Sequence, residues 1–236
     1  MNIVYAVTRS FYHKILPSLY SLLDHNTDID LYVVAEDDDL GIDLPIDARV
    51  INVSDQTWFK PDDPNYNNRF TYINLIKVCY ASILPVDKVL HLDADTIICD
   101  DLHPFYDTDL TGKWIGAVQE TEASYKPFGP IYYNMGVALL NLEQMRRDNI
   151  EPELIEYLNM SVQPWADQDA WNYLAQLDDK FVSIDRRYNE NQATGITQEP
   201  AIVHYCGVPN WWDSKTMFRH NYLDDVRARH SLGAPI

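Results

Sequence analysis

The sequence is short of cysteine, of basic residues and of long apolar runs, and each shortage excludes a class of protein. Its three cysteines, Cys79, Cys99 and Cys206, are too widely spaced for a disulfide framework or a zinc ribbon. No apolar run approaches membrane-spanning length, and the first ten residues turn polar too soon for a signal peptide. We therefore expect a cytoplasmic protein with reduced thiols.

Basic side chains are half as numerous as acidic ones, at 18 Lys and Arg against 36 Asp and Glu, and the formal net charge is −18. A field of that sign repels nucleic acid and anionic lipid, so both are disfavoured as partners. An anionic substrate would need local devices, such as a divalent ion and a few well-placed basic side chains. The 236 residues, 46% of them hydrophobic, suffice for one large domain, which we expect to span residues 1–236.

Short apolar runs alternate with helical patterns in the first part of the chain. Strands are predicted at residues 3–7, 31–35, 50–53 and 89–92, and helices at residues 12–23 and 72–84. Such alternation predicts an α/β fold with a Rossmann-like, mainly parallel central sheet flanked by helices. Beyond residue 101 the pattern becomes α+β, with strands predicted at residues 115–118 and 137–140 and helices at residues 151–160 and 167–177.

Two acidic residues, Asp93 and Asp95, lie one residue apart at the carboxyl end of the strand predicted over residues 88–92. Like charges this close cost free energy unless a cation neutralises them. In an open sheet, ligands bind at the carboxyl ends of the strands, where Thr8 also emerges. A D-x-D pair alone is a weak motif and often marks only a solvated loop. This context nevertheless favours a metal site, and a metal-bound diphosphate fits it best.

Further motifs follow in a characteristic order: YYNMGVALLN at residues 132–141, ADQDAWN at residues 166–172 and IVHYCG at residues 202–207. With the D-x-D pair, they make the chain resemble glycosyltransferase family 8, a group of retaining enzymes that includes glycogenin and bacterial lipooligosaccharide galactosyltransferases. The resemblance runs from residue 3 to about residue 212. It implies the GT-A fold, with a nucleotide-binding half (residues 1–101) and a half for the donor sugar and the acceptor (residues 102–236).

The resemblance implies that Asp93, Asp95 and His204 ligate a divalent cation, usually manganese. The chemistry of the residues agrees, because two carboxylates and an imidazole suit Mn²⁺ better than Ca²⁺ or Mg²⁺, which favour oxygen ligands; Mg²⁺ remains the alternative. Considered without the family match, a histidine that ends an apolar strand is more often a hydrogen-bonded core residue.

Contacts to a UDP-sugar donor are also implied by the resemblance. In the first loop, Thr8 would meet the uracil edge or the ribose and Tyr12 would stack on the base; packing of Tyr12 against the sheet is the alternative. Lys77 would offer positive charge to the donor phosphate or sugar. The other predicted donor contacts are Ala94, Asn134, Met135, Gly136 and Gly207. Gly136 would let the backbone approach the donor sugar, and a β-bulge is its alternative explanation.

Four side chains are predicted to surround the reacting sugar. Glu120 would orient donor hydroxyls. In the D-Q-D segment at a helix start, Asp167 would cap exposed amides while Gln168 and Asp169 face the anomeric carbon.

The chain departs from the family at Asn210, which stands where relatives carry a lysine that grips the diphosphate. With Asn210, the diphosphate lacks the positive charge that this lysine supplies to the leaving group. A substitute charge from Lys215 or Arg219, or slow turnover, is the alternative.

The resulting hypothesis is metal-dependent transfer of a sugar from a UDP-sugar to an acceptor hydroxyl, with retention and front-face attack. The acceptor would be a glycan, a protein or another hydroxyl compound. One rival is a metal-dependent nucleotidyltransferase or sugar-diphosphate hydrolase, which predicts a glycine-rich phosphate loop that residues 8–12 do not contain. The other is a nucleotide-sugar-binding module with weak or no transfer activity, which the loss of lysine at Asn210 makes conceivable.

Overall fold

The computed structural model describes residues 1–67, 70–121, 129, 131–191, 194, 199–207 and 221–233. The strands in these residues are β1 (Asn2–Ala6), β2 (Asp30–Ala35), β3 (Ala48–Asn52), β4 (Lys88–Leu92), β5 (Thr96–Ile98), β6 (Ile115–Gln119), β7 (Tyr133–Asn141), β8 (Phe181–Ser183) and β9 (Ile202–His204). The α-helices are α1 (Leu16–His25), α2 (Tyr72–Leu75), α3 (Tyr80–Ile83), α4 (His103–Tyr106), α5 (Leu142–Asp148), α6 (Glu151–Met160), α7 (Asp167–Leu177) and α8 (Tyr222–His230). Segments of 3₁₀-helix cover Arg9–Ile15, Ile76–Cys79 and Arg186–Tyr188.

Seven of these strands form one sheet in the order β3-β2-β1-β4-β7-β6-β8. The first four strands in that order are parallel, β7 runs antiparallel to both β4 and β6, and β8 is parallel to β6. The predicted α/β fold with a mainly parallel sheet is confirmed. Because β4 pairs with β7, the sheet continues across residue 101. Strands β5 and β9 form a separate antiparallel pair.

Both faces of the sheet are buried, which explains why its strands are nearly continuous apolar runs. On β1, Val4 belongs to the core beneath helices α2, α3, α5, α6 and α7, whereas its neighbours Ile3 and Tyr5 belong to the core beneath α1 and α4. The side chains of adjacent strand residues point to opposite faces, so one apolar run supplies both cores. Helices on both sides therefore leave the strand ends as the accessible part of the sheet.

Two predicted helices are divided. The helical pattern over residues 12–23 starts as 3₁₀-helix, and α1 begins only at Leu16, with Pro17 in its first turn, where a missing N–H costs nothing. The pattern over residues 72–84 is interrupted by the 3₁₀ segment Ile76–Cys79, which contains the buried Lys77. The predictions at residues 151–160 and 167–177 agree with α6 and α7 at both ends. Among the described helices, none combines the length and the apolar character needed to cross a membrane.

Helix α6 offers a direct comparison of a buried and an exposed side chain. Leu158 is fully buried in the core, whereas Met160, at the end of the same helix, is 74% exposed. Leu158→Ala should therefore lower the free energy of unfolding by about 2 to 5 kcal/mol, because it leaves a cavity. Met160→Ala should change it by less than about 0.5 kcal/mol. Urea unfolding followed by circular dichroism measures both values, and equal losses would contradict this packing.

Candidate functional site

The predicted metal ligands come together at the carboxyl end of β4. Asp93 and Asp95 follow this strand, and the pairing of β5 with β9 places His204 opposite Thr96. One ligand atom from each of Asp93, Asp95 and His204 lies within 4.8 Å of the others. Nε2 of His204 is 3.2 Å from Oδ1 of Asp95 and 3.8 Å from Oδ2 of Asp93. Residues more than a hundred positions apart thus form one cluster.

Gly136, on β7, forms the wall against which this cluster packs. A Cβ atom at this position would lie 2.2 Å from Cε1 of His204 and 2.5 Å from Oδ2 of Asp93, so no other residue fits. The pairing of β6 with β7 shifts register here, since Ala117 pairs with Ala138 but Val118 pairs with Asn134. Gly136 therefore lies in a stretch of β7 where the pairing with β6 is irregular. The space beside this glycine is filled by the side chains of His204 and Asp93, and its approach to a donor sugar stays a prediction.

The ammonium of Lys77 balances part of the negative charge. It lies 3.0 Å from Oδ1 of Asp93 and 3.6 Å from Oδ2 of Asp167. Burial opposes the charge on Lys77, but Asp167 and Asp93 outweigh it and raise the pKa of the ammonium. Burial raises the pKa of Asp167 to about 6, against the effect of Lys77. The carboxylate of Asp167 also interacts with its own backbone N–H in the first turn of helix α7, so the expectation that it caps exposed amides stays a prediction.

His91 is part of the site although the sequence reasoning did not single it out. Its Nε2 lies 2.9 Å from Oδ1 of Asp93, and its Nδ1 lies 3.1 Å from the hydroxyl of Tyr80. The signal was present in the sequence, because strand residues two apart point to the same face and His91 precedes Asp93 by two. Lys77 and His91 both contact Oδ1, so Oδ2 of Asp93 is left toward His204.

In the D-Q-D segment, Asp169 makes a capping interaction. This side chain is fully buried, and it accepts hydrogen bonds from the hydroxyl of Tyr132 and, at 2.8 Å, from the backbone N–H of Trp165. A carboxylate in the first turn that reaches back to an amide before the helix is a capping interaction. Both oxygens of Asp169 are engaged within the protein, so the structure does not direct this carboxylate toward a substrate.

Gln168, Glu120, Asn134 and Met135 form a connected polar group beside the metal ligands. Gln168 accepts a hydrogen bond from the backbone N–H of Met135 at 3.0 Å and donates to Oε1 of Glu120 at 3.2 Å. Asn134 donates to the same oxygen at 3.1 Å. Residues predicted to contact the donor sugar are therefore neighbours, and their amide groups have fixed orientations.

In the first loop, the side chain of Tyr12 is buried. Tyr12 is only 3% exposed, and its hydroxyl donates to Asp37 and accepts from the backbone N–H of Glu36, both at 3.0 Å. Packing against the sheet, the alternative interpretation, is what Tyr12 does, and little of its ring remains for a nucleobase. Thr8 ends the strand as expected, and its hydroxyl lies 3.2 Å from that of Ser10.

The remaining predicted donor contacts lie at the margins of the cluster. Ala94 is half-buried between Asp93 and Asp95. Gly207, three residues after His204, is exposed and has a φ of 75°, a conformation that favours glycine. Asn210, which replaces the family lysine, lies outside the described residues.

Charge and donor chemistry both fit a divalent cation. Asp93, Asp95 and Asp167 together carry three negative charges, and Lys77 returns one positive charge, which leaves an excess that a divalent ion would neutralise. Carboxylate oxygens and a ring nitrogen are ligands that manganese and related ions accept. Burial opposes the protonation of His204, but Asp95 and Asp93 outweigh it and raise its pKa. The imidazole therefore faces negative charge that a bound cation would neutralise.

Comparison with known proteins agrees with this geometry. The model of the family described as glycosyl transferase family 8 matches residues 2–216. General stress protein A of Bacillus subtilis is 23% identical, over 88% of this chain and 84% of its own length. Glycosyltransferase GlyD of Streptococcus pneumoniae is 23% identical over 94% of this chain, which spans only 30% of GlyD.

Solved structures show the same fold. The galactosyltransferase LgtC, determined in complex with donor and acceptor sugar analogs, superposes with a TM-score of 0.73 at 21% identity, covering 97% of this chain and 96% of LgtC. The predicted GT-A fold is thereby confirmed. Because the family model covers nearly the whole sequence, this chain belongs to glycosyltransferase family 8.

Proposed function

We propose that this protein is a metal-dependent, retaining glycosyltransferase that moves a sugar from a UDP-sugar to an acceptor hydroxyl. The observation that carries the proposal is the cluster of Asp93, Asp95 and His204 beside the polar group of Glu120, Asn134 and Gln168. The cluster offers a place for a cation and its diphosphate, and the polar group offers hydrogen bonds to a sugar. A solved structure of the same fold was determined in complex with donor and acceptor sugar analogs, which supports a donor sugar and an acceptor sugar as ligands here.

Asp93, Asp95 and His204 would hold manganese, which when bound supplies positive charge to the departing diphosphate. Lys77 keeps the carboxylate of Asp93 ionised, because its ammonium lies 3.0 Å away in a buried setting. Burial raises the pKa of Asp93, but Lys77 and His91 outweigh that effect and lower it. The carboxylate is thus prepared for a cation before one arrives.

Retention follows best from front-face attack. The oxygen of Gln168 already accepts the N–H of Met135, and an amide is a poor nucleophile. Asp169 is buried and engaged, and Asp167 faces Lys77. None of these three side chains is arranged as a nucleophile toward a sugar. We therefore propose that the acceptor hydroxyl enters on the face that the diphosphate leaves, with the departing phosphate taking its proton.

Two rivals remain distinguishable. A nucleotidyltransferase or sugar-diphosphate hydrolase would need a phosphate loop, and the first loop of this chain has no glycine over residues 8–12. A binding module without transfer activity would keep the cluster yet release no product. Incubation with labelled UDP-sugars, Mn²⁺ and hydroxyl acceptors separates these cases. A transferase gives labelled acceptor or slow release of free sugar and UDP, a hydrolase gives sugar phosphate and UMP, and a module gives neither.

Asp95→Asn should abolish transfer while leaving the fold intact. The substitution removes one negative charge from the cluster, and an amide is a weaker ligand for a cation than a carboxylate. Circular dichroism checks the fold, and turnover of UDP-sugar is measured at saturating Mn²⁺. Asp101→Asn is the matched control, because it changes an exposed carboxylate a few residues after β5. Full activity of Asp95→Asn at saturating Mn²⁺ would refute the metal assignment.

Gly136→Ala should abolish Mn²⁺ binding, because the new methyl group would overlap His204 and Asp93. Gly116→Ala, on the neighbouring strand β6, is the matched control, since its Cβ would meet its nearest atom, of Ile184, at 3.2 Å. Electron paramagnetic resonance of free Mn²⁺ measures both variants. Wild-type affinity in Gly136→Ala would show that the cluster does not hold the ion.

A further inference from the structure

The segment after the 3₁₀-helix Arg186–Tyr188 runs beside β9 and brings Asn189 to the metal ligand His204. Glu190 forms a parallel bridge with Val203; its N–H donates to Ile202 at 2.9 Å, and its carbonyl accepts from the N–H of His204 at 2.8 Å. Within this frame, Oδ1 of Asn189 lies 2.9 Å from Nδ1 of His204. Both side chains are buried, so water does not compete for this contact.

A backbone group determines which way the amides of this region face. The N–H of Gly136 donates to Oδ1 of Asn134 at 3.1 Å, and a backbone N–H cannot reverse its role. The amide nitrogen of Asn134 therefore points to Glu120, whose carboxylate only accepts. Oδ1 of Asn134 also lies 2.9 Å from the side chain of Asn189, so the atom of Asn189 at that contact must be its donor, Nδ2.

The orientation of Asn189 then decides the protonation of His204. With Nδ2 turned to Asn134, the oxygen of Asn189 faces His204 and also accepts from the amide of Asn191 at 2.9 Å. An oxygen cannot donate, so Nδ1 of His204 must carry a proton. Nε2, which lies 3.2 Å from Asp95, is thereby the nitrogen whose lone pair is available to a cation. The inference starts at a backbone N–H and needs no assumption about the ring.

We propose that Asn189 is a positioning residue that fixes the ring and the ligand nitrogen of His204. The same amide joins His204, through Asn134, to Glu120 and Gln168, so the metal ligand and the donor-sugar group form one hydrogen-bonded unit. Partners of this kind behind a metal-bound histidine typically contribute 10- to 100-fold in metal affinity. The proposal rests on the metal-dependent function proposed above.

The experiment compares the affinity of the whole protein for Mn²⁺ alone in three variants, measured by electron paramagnetic resonance of the free ion. Asn189→Leu keeps the volume but removes the acceptor, and we expect binding about 10- to 100-fold weaker. Asn189→Asp restores an acceptor for Nδ1 and should recover most of that affinity. Because it cannot donate to Asn134, Asn189→Asp should still bind UDP-sugar more weakly, relative to UDP, than the wild type does.

Asn26→Leu is the matched control. Asn26 is also buried, donates to the carbonyl of Leu22 at 3.1 Å and accepts the N–H of Leu102 at 2.7 Å, yet it has no contact with the cluster. Its substitution should destabilise the protein and leave the Mn²⁺ affinity unchanged. A loss of affinity in Asn26→Leu as large as that in Asn189→Leu would reduce the effect to general destabilisation and overturn the proposal.

The outcomes separate this proposal from the function beneath it. A wild-type protein that binds no Mn²⁺ defeats the proposed function and the inference together. A wild type that binds Mn²⁺, with equal affinity in Asn189→Leu, overturns the role of Asn189 alone. If Asn189→Leu does not fold, ¹⁵N spectra of the histidine rings in the metal-free wild type decide. At a pH where the ring of His204 is neutral, a proton on Nδ1 supports the proposal, and a proton on Nε2 overturns it.

Discussion

Repulsion among carboxylates at the end of β4 is the constraint around which the rest of the site is organised. Asp93 and Asp167 lie 3.0 and 3.6 Å from the ammonium of Lys77. Asp93 and Asp95 also lie 3.8 and 3.2 Å from Nε2 of His204, so the carboxylates share few positive groups and each disfavours the charge on the next. Lys77 and a hydrogen bond from His91 offset part of this repulsion. The negative charge that remains is what we propose a cation would neutralise.

Strand β7 allows the carboxylates and His204 to lie this close together. The strand belongs to the second half of the chain and pairs with β4. It carries Asn134, Met135 and Gly136 where its pairing with β6 is irregular. A side chain at residue 136 would occupy the volume of His204 and Asp93. Its neighbours on the strand turn their polar groups toward Glu120 and Gln168. One irregular strand segment thus lies between the carboxylate–histidine cluster and the polar group of Glu120 and Gln168 and contacts both.

The sequence predicts the sheet and the acidic part of the cluster well because both leave local signals, whereas His204 was predicted from the family motif at residues 202–207. Continuous apolar runs located the strands, and the carboxylate pair at a strand end located the cluster. Asp169 accepts the N–H of Trp165 before the helix and Asp167 lies beside Lys77, contacts that the pattern at a helix start does not predict. Tyr12 was ambiguous because a tyrosine at this position can either pack against the sheet or stack on a base. The role of Asn189 had no local signal, since His204 and Asn134 lie 15 and 55 residues away from it in the chain.

Neutral amides suit the positions behind His204 better than charged groups would. A carboxylate at residue 189 would hold the ring, but it would add negative charge to a site that already carries an excess. It would also face the oxygen of Asn134 without a donor between them. An amide supplies an acceptor on one side and a donor on the other with no net charge. Asn189 can therefore hold the ring of His204 in place without changing the net charge of the cluster. The orientation of the ring and the charge of the site are thus set by different residues.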